Sequence, residues 1–380
     1  MHVSRITASR FRNLSHATFH PTPGINVLEG QNGQGKTNVL EAIHALATLK
    51  SFRGQPSREL IQHGFDQASV AGTVHDGGMV RDVELLLNGS TRRVSVNGTP
   101  VRQLASYFGT INAVTFCPED VGVFRGSPAD RRLLIDRAVF NAYPAYGAEV
   151  QDYERALKNR NACLRQEPVD RSLLEVYDQQ VSRHGAIVVR RRLAYLQRIN
   201  PILATVFHDI FSASITLELG YVQHEVDDQN RSAAVTAAPS ASLPAQDDIA
   251  ERLLVALRRR RQVDLARGFT TIGPHRDDAL ATIDTTPMRG YASQGQHRAA
   301  ILAFKISEIQ LLHRIHEHHP ILLMDDVSSE LDPERNARLF QFVDTLDAQV
   351  FITTTNAATL QLTQPTTRWA VHAGRIEPHA

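Results

Sequence analysis

The N-terminal part of the chain carries apolar and polar positions in alternation, the pattern of half-buried strands. Residues 2–11 and 17–19 alternate roughly, and three segments between residues 68 and 101 do so more regularly: 69–74, 83–87 and 93–96. Two-residue turn signals lie between or after these segments, namely Gly77-Gly78, Asn88-Gly89 and Asn97-Gly98. Together these patterns predict an antiparallel β-layer.

The middle of the chain changes to the three-to-four-residue periodicity of helices. Long helical patterns cover three segments: 128–140, 144–166 and 171–199. Residues 223–249 are rich in Ala, Ser, Asp, Gln and Pro without periodicity, so we expect a loop or mobile segment there. A helix to about Leu265 follows, with Asp247 or Asp248 as its predicted cap. Another long helix is expected at roughly 297–315.

A glycine-rich loop stands between a short apolar run, residues 25–28, and a helical pattern that continues to Ala47. It matches G-x-x-x-x-G-K-[ST] at every fixed position. The glycines let successive backbone N–H groups point into one concavity, and the following helix adds its positive N-terminal end. Lys36 is expected to reach the β- and γ-phosphates as a catalytic residue, and Thr37 to ligate Mg²⁺. The nucleotide-binding residues of this motif are Gly30, Gln31, Asn32, Gly33, Gln34, Gly35, Lys36 and Thr37.

Two acids follow an apolar strand pattern much later in the chain. Residues 321–324 are apolar, and Asp325 and Asp326 come directly after them. A buried strand of this kind carries its first carboxylate to the sheet edge, where it can hold Mg²⁺ directly or through water. Asp325 is therefore the second predicted metal ligand beside Thr37. Asp326 is the predicted catalytic residue that orients or deprotonates the attacking water.

A polar turn opens the long helix that precedes this strand. Its first residues place Ser293 and the N–H groups near Gly295 at a helix N-terminus, which is a second anion-binding position. An ordinary N-cap at Ser293 is the alternative. The order of polar turn, long helix, acidic strand end and then residues 329–332, Ser-Glu-Leu-Asp, favours a second part of the nucleotide site. The residues assigned to it are Ser293, Gln294, Gly295 and Gln296.

Composition limits the classes of protein that fit. The 380 residues are too many for one ordinary domain, and 42% are apolar, enough for sizeable cores. The net charge is only +1, so any DNA-binding surface must be local. The arginine run 258–261 is a candidate phosphate contact, with a solvated helix face as the alternative. Cys117 and Cys163 are in no metal spacing and suit a reducing cytoplasm. Neither a signal peptide nor a membrane span is predicted, so we expect a cytoplasmic protein.

Together, the phosphate loop, the polar turn, the paired acids and residues 329–332 resemble the head of an ABC-type ATPase. The separation of the two halves of that head by a helical insert is similar to the RecF/SMC branch. Three further stretches resemble the RecF family: Phe11-Arg12-Asn13, residues 116–132 (FCPEDVGVFRGSPADRR) and residues 273–278 (GPHRDD). The resemblance implies an α/β head with an antiparallel β-layer, built from residues 1–120 and 269–380. It implies a mainly helical insert, lobe II, at 121–268.

The resemblance also implies an activity and partners. A RecF-family protein is expected to bind ATP and Mg²⁺, to bind single- and double-stranded DNA at gaps, and to help load a recombinase with RecO and RecR. Two copies are expected to form an ATP-dependent homodimer in which Ser293–Gln296 of one caps the nucleotide in Gly30–Thr37 of the other. Weak DNA-dependent ATPase activity is expected, with binding and loading as the main role.

Several positions depart from the usual ABC pattern. Ala292 stands where a leucine is usual, and the shorter Asp326 where transporters carry a glutamate, so hydrolysis should be slow. No clear switch histidine follows Ile352, where the run is Thr353-Thr354-Thr355, and no obvious Q-loop glutamine lies near Pro118. The alternatives are a nucleotide-binding subunit of a membrane transporter, a self-contained P-loop enzyme and a structural chromosome protein.

Overall fold

A computed structural model describes residues 1–210, 215–226, 232–237, 242–326 and 333–379 of the chain. By its internal contacts the chain divides into two compact units. The head unit comprises Met1–Gly122 with Ile301–Ala380, and the insert unit comprises Val123–Ala300. The division near residue 122 lies close to the expected boundary at 120. The second division lies at residue 300 and differs from the expected boundary at 268.

The head unit contains an antiparallel sheet close to the one that the alternating pattern predicts. Its strands are β1 His2–Phe11, β2 Leu14–Phe19, β4 Gln67–Asp76, β5 Met79–Asn88, β6 Thr91–Val96 and β7 Thr99–Pro100. Their order is β2-β1-β4-β5-β6-β7. Gly77-Gly78 and Asn97-Gly98 form the turns of the β4–β5 and β6–β7 hairpins, and the β5–β6 turn contains Gly89. The predicted antiparallel layer is confirmed.

A second sheet of the head unit is parallel except at one edge. Its strands are β3 Ile25–Glu29, β8 Ala113–Phe116, β13 Ile321–Asp325, β14 Val350–Thr354, β15 Thr366–His372 and β16 Arg375–Pro378. The order is β16-β15-β3-β14-β13-β8, and only β16 runs antiparallel to its neighbour. Strands β8, β13 and β14 are buried at every residue, as strands covered on both faces are. The carboxyl ends of β3, β14 and β13 meet at one edge, because Glu29 pairs with Thr354 and Thr353 pairs with Asp325.

Helix α1, Lys36–Thr48, contacts strands of both sheets of the head unit. Leu40, Ile43 and Leu46 are fully buried there, and burial of each such side chain contributes about 2 kcal/mol. A helix held on both sides in this way fixes the direction of its N-terminus, where the glycine-rich loop ends. In the described part of this unit the other helices are the portion of α6 (Gln294–His316) from Ile301 onward, α7, Pro333–Asp344, and the short 3₁₀ helices Ser57–Leu60, Leu104–Ser106, Pro118–Gly122 and Ala357–Thr359.

The insert unit combines helices with a small antiparallel sheet. The helices are α2 Pro128–Ala142, α3 Tyr146–Cys163, α4 Arg171–Ile210, α5 Gln246–Arg267 and the first turns of α6 Gln294–His316. Helix α4 contacts α3 and α5. The strands are β9 Leu217–Val226, β10 Ser232–Ala237, β11 Asp278–Ile283 and β12 Thr286–Pro287, in the order β10-β9-β11-β12. Because β11 pairs with β9, the insert unit extends beyond the expected residue 268.

The prediction of a loop over residues 223–249 is wrong for 223–226, 232–237 and 246–249, whereas residues 242–245 have no regular secondary structure, as predicted. Strand β9 runs to Val226, β10 pairs with it from Ser232 to Ala237, and α5 begins at Gln246. Backbone pairing needs no alternation of side chains, so the pattern of residue types missed this hairpin. Residues 227–231 and 238–241 lie outside the described residues.

Two predicted helix starts also change. Helix α5 has Ala245 as its N-cap without a side-chain hydrogen bond, so Asp247 and Asp248 are not caps. Both aspartates lie in the first turn, where negative charge favours the helix dipole. Helix α6 begins at Gln294, three positions earlier than expected, so the predicted polar turn is already its first turn. Within the described part of the chain, no helix is long and apolar enough to cross a membrane.

Candidate nucleotide-binding site

The glycine-rich loop joins β3 to α1 in a conformation that requires its glycines. Gly33 and Gly35 have φ angles of 79° and 112°, which L side chains rarely adopt. A Cβ atom at Gly30 would lie 2.3 Å from the carbonyl oxygen of Val371, and one at Gly35 would lie 2.7 Å from Asn13 Oδ1. The predicted order of strand, loop and helix is present, and the glycines permit a close approach to neighbouring chain segments.

Lys36 begins α1 and its side chain lies over the loop. Its ammonium group donates to the carbonyl oxygens of Gly30, at 2.6 Å, and Gln31, at 3.0 Å. Burial lowers the pKa of Lys36, while the nearby carboxylates of Asp326 and Asp325 act in the opposite direction. The loop therefore holds a partly desolvated cation at its mouth, close to both acids.

Asp325, at the end of β13, lies beside the start of α1. Its Oδ1 atom accepts hydrogen bonds from the hydroxyls of Thr37 and Thr353, both at 2.8 Å. Asp325 is only 5% exposed, and burial raises its pKa, although the two hydroxyl hydrogen bonds lower it. Among the residues that the structure describes, no Lys, Arg or His side chain forms an ion pair with Asp325. One carboxylate and one hydroxyl are hard oxygen donors, and this set fits Mg²⁺ shared with phosphates and water.

Asp326 has an unusual backbone conformation for a non-glycine residue. Its φ is 46°, in the left-handed region, and its N–H donates to Thr353 Oγ1 at 2.9 Å. Thr353 belongs to the three-threonine run at residues 353–355, to which the sequence alone assigns no function. The available signal was its position, because three hydroxyl residues directly follow a buried apolar strand beside the acids.

A hairpin turn from a distant part of the chain contacts the phosphate loop. The N–H of Gly374 donates to the Gln34 carbonyl at 2.9 Å, and the N–H of Ala373 donates to Gln34 Oε1 at 2.7 Å. Gly374 has a φ of 77°, and a Cβ there would lie 2.3 Å from the Asn13 carbonyl oxygen. The side chain of Gln34, predicted to bind nucleotide, is thus used to fix the loop to the β15–β16 turn. Sequence reasoning missed this contact.

The stretch Phe11-Arg12-Asn13 forms hydrogen bonds with side chains of helix α1. Asn13 Oδ1 accepts from the Asn38 side chain at 2.8 Å, and the Arg12 Nε donates to Glu41 at 2.8 Å. Glu41 is fully buried in α1 and also accepts from the Ser51 hydroxyl. This motif therefore stabilises the helix that follows the phosphate loop.

The turn Ser293–Gln296 belongs to the insert unit, whereas the phosphate loop and both acids belong to the head unit. Ser293 Oγ accepts from the Gln296 N–H at 3.2 Å, and Gln296 Oε1 accepts from the Ser293 N–H at 2.7 Å. This is a capping box, so Ser293 does serve as an N-cap. His297, one residue later, is 1% exposed, and neither of its ring nitrogens has a hydrogen-bond partner. Residues 329–332 lie outside the described residues.

The other two stretches that resemble the RecF family meet each other inside the insert unit. Arg131 donates to both carboxylate oxygens of Asp278, at 2.8 and 2.7 Å. Arg132 donates to the Asp277 carbonyl at 2.7 Å. These stretches therefore join α2 to β11.

The arginine run 258–261 is partly occupied in contacts within the insert unit. Arg258 and Arg261 both form ion pairs with Glu175, and Arg261 also pairs with Asp178. A phosphate contact by the remaining arginines stays a prediction.

The head unit has the features of an ABC-type P-loop ATPase head. These are a phosphate loop, two acids at the adjacent sheet edge, an antiparallel layer and an insert that divides its sequence. The model of the RecF/RecN/SMC N terminal domain family matches residues 2–376. Together with the close relatives described next, this match shows that the chain belongs to the RecF family.

Relatives and solved structures agree with this assignment. "DNA replication and repair protein RecF" of Geobacter sulfurreducens is 40% identical over 95% of both chains. The protein of the same name from Myxococcus xanthus is 40% identical over 97% of this chain and 95% of its own.

Among solved structures, the recombination mediator protein RecF-ATPrS has a TM-score of 0.88 at 28% identity, covering 100% of this chain and 98% of the other. The RecF-ATP structure has a TM-score of 0.87 at 27% identity, covering 100% and 99%. An Smc head bound to the C-winged helix domain of ScpA has a TM-score of 0.53 at 13% identity, covering 100% of this chain and 98% of the other. At this identity the similarity shows the fold alone. The predicted fold class is confirmed.

Proposed function

We propose that this chain is an ATP-dependent DNA-binding protein of recombinational repair and replication restart. It binds single- and double-stranded DNA at gaps, forms a homodimer when ATP is bound, and helps RecO and RecR to load a recombinase. The names of the relatives support the repair role, and the RecF-ATP and RecF-ATPrS structures of the RecFOR pathway support ATP as the ligand.

One observation carries the nucleotide part of the proposal. The hydroxyl of Thr37 and the carboxylate of Asp325, 288 positions apart in the chain, lie 2.8 Å from each other at the end of the phosphate loop. A hydroxyl and a buried carboxylate at this place are the ligands that P-loop proteins give to Mg²⁺. When bound there, Mg²⁺ neutralises charge on the β- and γ-phosphates of ATP.

Residues of the chain itself bind the phosphates and orient the attacking water. The N–H groups of the loop and the ammonium of Lys36 bind phosphate oxygens, for which Lys36 releases the carbonyls of Gly30 and Gln31. Asp326 orients the attacking water and accepts its proton. Because aspartate is shorter than the glutamate common at this position, hydrolysis is slow, and ATP binding rather than turnover controls the state of the protein.

The dimer part of the proposal concerns Ser293–Gln296. In the homodimer these residues of one copy cap the nucleotide held by Gly30–Thr37 of the other. The capping box supports this, because it orders the first turn of α6 and uses the N–H groups of Ser293 and Gln296, so that those of Gln294 and Gly295 stay outside the box at the helix end. DNA contacts come from arginines and lysines of the insert and rim, so affinity falls steeply with salt and shows little sequence preference.

The test is sedimentation of the purified protein with and without ATP-Mg²⁺, each with and without gapped DNA. We expect a monomer that dimerises only with ATP-Mg²⁺ and then holds DNA. Lys36→Ala should weaken nucleotide binding, and Asp326→Asn should slow hydrolysis while sparing dimerisation.

Two matched variants separate the capping role of Ser293 from its proposed role across the dimer. Ser127 forms an equivalent capping box with Asp130 at the start of α2. Ser293→Ala and Ser127→Ala each lose a cap, at a cost of about 1 kcal/mol. Only Ser293→Ala should abolish ATP-dependent dimerisation. Equal effects on dimerisation would contradict the proposal.

Two outcomes would favour other functions. A monomer that is indifferent to ATP yet turns it over would indicate a self-contained P-loop enzyme. A membrane protein that copurifies with the chain would indicate a transporter subunit.

A further inference from the structure

Thr353 is the residue that both acids of the site share. It lies in β14, paired in register with Asp325 of the neighbouring strand, and is 1% exposed. Its Oγ1 atom is 2.8 Å from Asp325 Oδ1 and 2.9 Å from the backbone nitrogen of Asp326.

The direction of the two hydrogen bonds follows from their chemistry. A backbone N–H can only donate, so Thr353 Oγ1 must accept from Asp326. A hydroxyl has a single proton, and Thr353 therefore directs it to the Asp325 carboxylate. One side chain thus fixes the orientation of the first acid and the backbone of the second.

The backbone of Asp326 needs such a partner. Its φ of 46° belongs to the left-handed region, which aspartate adopts more readily than most residues but still uncommonly. The Asp326 N–H donates to the buried hydroxyl of Thr353, and this hydrogen bond holds the conformation. The conformation in turn sets the direction in which the Asp326 carboxylate leaves the chain.

We propose that Thr353 is the positioning residue of the site, holding Asp325 for the metal and Asp326 for the water. The proposal rests on the function proposed above. Thr353 stands in the run that takes the place of the usual switch histidine. A threonine hydroxyl does not act as a base at neutral pH, so its contribution is orientation of the two acids and not proton transfer.

The neighbouring residue provides a matched control. Thr354 is also β-branched and 2% exposed, but its hydroxyl bonds with the backbone of Asn356. Thr353→Val and Thr354→Val therefore make the same change of hydroxyl to methyl in the same buried strand. Thr353→Ser keeps the hydroxyl. If valine at position 353 prevents folding, a comparison of Thr353→Ser with Thr353→Ala tests the loss of the hydroxyl without adding a methyl group.

The first measurement is the affinity for a fluorescent, non-hydrolysable ATP analogue in Mg²⁺ and in EDTA. Thr353→Val should reduce the gain in affinity that Mg²⁺ supplies by about tenfold, as loss of a group that orients a ligand usually does. Its affinity in EDTA should stay within about twofold of wild type, since the phosphate loop is untouched. Thr354→Val and Thr353→Ser should both behave like wild type.

The second measurement is amide hydrogen exchange at Asp326 in the nucleotide-free protein. Thr353→Val should accelerate exchange there by at least about tenfold, the effect expected when a protecting hydrogen bond is lost, and Thr354→Val should not. Unchanged exchange together with an unchanged effect of Mg²⁺ in Thr353→Val would overturn this inference. Failure of the wild-type protein to bind the analogue at all would instead overturn the proposed function, since the exchange experiment needs no nucleotide.

Discussion

The buried carboxylate of the nucleotide site in the head unit and two buried carboxylates of the insert unit have different kinds of partner. In the insert unit, Asp178 and Asp264 are fully buried and both pair with the equally buried Arg160, at 2.6 and 2.7 Å. In the head unit, Asp325 is nearly as buried, but its hydrogen-bond partners among the described residues are the hydroxyls of Thr37 and Thr353, and no ion pair joins it to a cation of that part of the chain. The insert neutralises Asp178 and Asp264 with a cation of the chain itself, whereas the head leaves Asp325 for a cation that is not part of the chain.

This difference separates structural charge from functional charge. Breaking a buried ion pair leaves an uncompensated charge and is strongly destabilising. A buried carboxylate without a cation is already unfavourable for folding, so removing its charge should cost the fold nothing. Stability measurements on matched variants can therefore show whether a given buried acid is a structural or a functional charge.

The largest effect is expected for Arg160→Met. The variant leaves Asp264 buried without its cation and leaves Asp178 with Arg261 alone, so the free energy of unfolding should fall by about 3–5 kcal/mol. Urea denaturation followed by circular dichroism at the helix band measures it. Arg155→Met in the same helix is the control, since Arg155 is 71% exposed and its ion pair within the described part of the chain is with Asp152. That change should cost less than about 1 kcal/mol, and similar losses in both variants would remove the basis of the comparison.

An acid-dependent loss of stability is expected from His275 in the insert unit. His275 lies between the Tyr153 hydroxyl and the Thr270 carbonyl, and burial lowers its pKa to about 4 from the ordinary 6.5. The unfolded chain therefore binds this proton more readily than the folded one. The stabilisation is complete above pH 6.5 and is lost as the pH falls toward 4, by up to about 3 kcal/mol.

Thermal unfolding at a series of pH values tests this expectation. His275→Gln should flatten the dependence between pH 6.5 and 4, whereas His208→Gln, at an exposed position of the same unit, should leave it unchanged. An equally steep dependence in both variants would rule out His275 as its source.

A smaller effect is expected for Gly30→Ala in the head unit. The new Cβ would lie 2.3 Å from the Val371 carbonyl oxygen, which belongs to backbone and cannot turn away. We expect a loss of about 1–3 kcal/mol and weaker nucleotide binding, because the loop must shift. Gly24→Ala, at a position with no atom within 4 Å of the added Cβ, should be close to neutral. Wild-type affinity for ATP in Gly30→Ala would show that the loop tolerates this movement.

The smallest effect on stability, and the sharpest contrast with the insert, is expected for Asp325→Asn. The amide oxygen can still accept from Thr37 and Thr353, so stability should stay within about 1 kcal/mol of wild type or rise. Binding of nucleotide should lose its dependence on Mg²⁺. The same change at Asp278 removes the charge opposite Arg131 and should be destabilising. Destabilisation by both changes would mean that Asp325 is also a structural charge.

Short-range features of this site were predictable from the sequence, and long-range ones were not. The phosphate loop is a contiguous strand, loop and helix, so residue types alone located Lys36 and Thr37. Asp325 could be predicted as a site residue because the apolar run before it predicts a buried strand, and the acid stands at the end of that strand. The contact between Gln34 and the β15–β16 turn depends on chain segments that are 339 positions apart, and no local pattern reports such a pairing.

The sheet of the insert unit was missed for a different reason. Strand β10 reads Ser-Ala-Ala-Val-Thr-Ala, in which small residues hide any alternation, and its partner β9 supplies the backbone pairing. Strand order within a sheet is a tertiary property. The sequence alone does not indicate a role for Thr353. Its role follows from the pairing of β14 with β13, which brings Thr353 next to Asp325.

The contact of Ala373 and Gly374 with Gln34 has a consequence for synthesis of the protein. The phosphate loop leaves the ribosome early, but both strands beside β3, namely β14 and β15, and the turn that holds Gln34 are translated more than 300 residues later, as the separation of 339 positions shows. A nascent chain therefore cannot assemble a working loop, and a fragment that stops before residue 366 should bind no nucleotide. Interrupted translation then yields products that cannot compete with the finished protein for ATP.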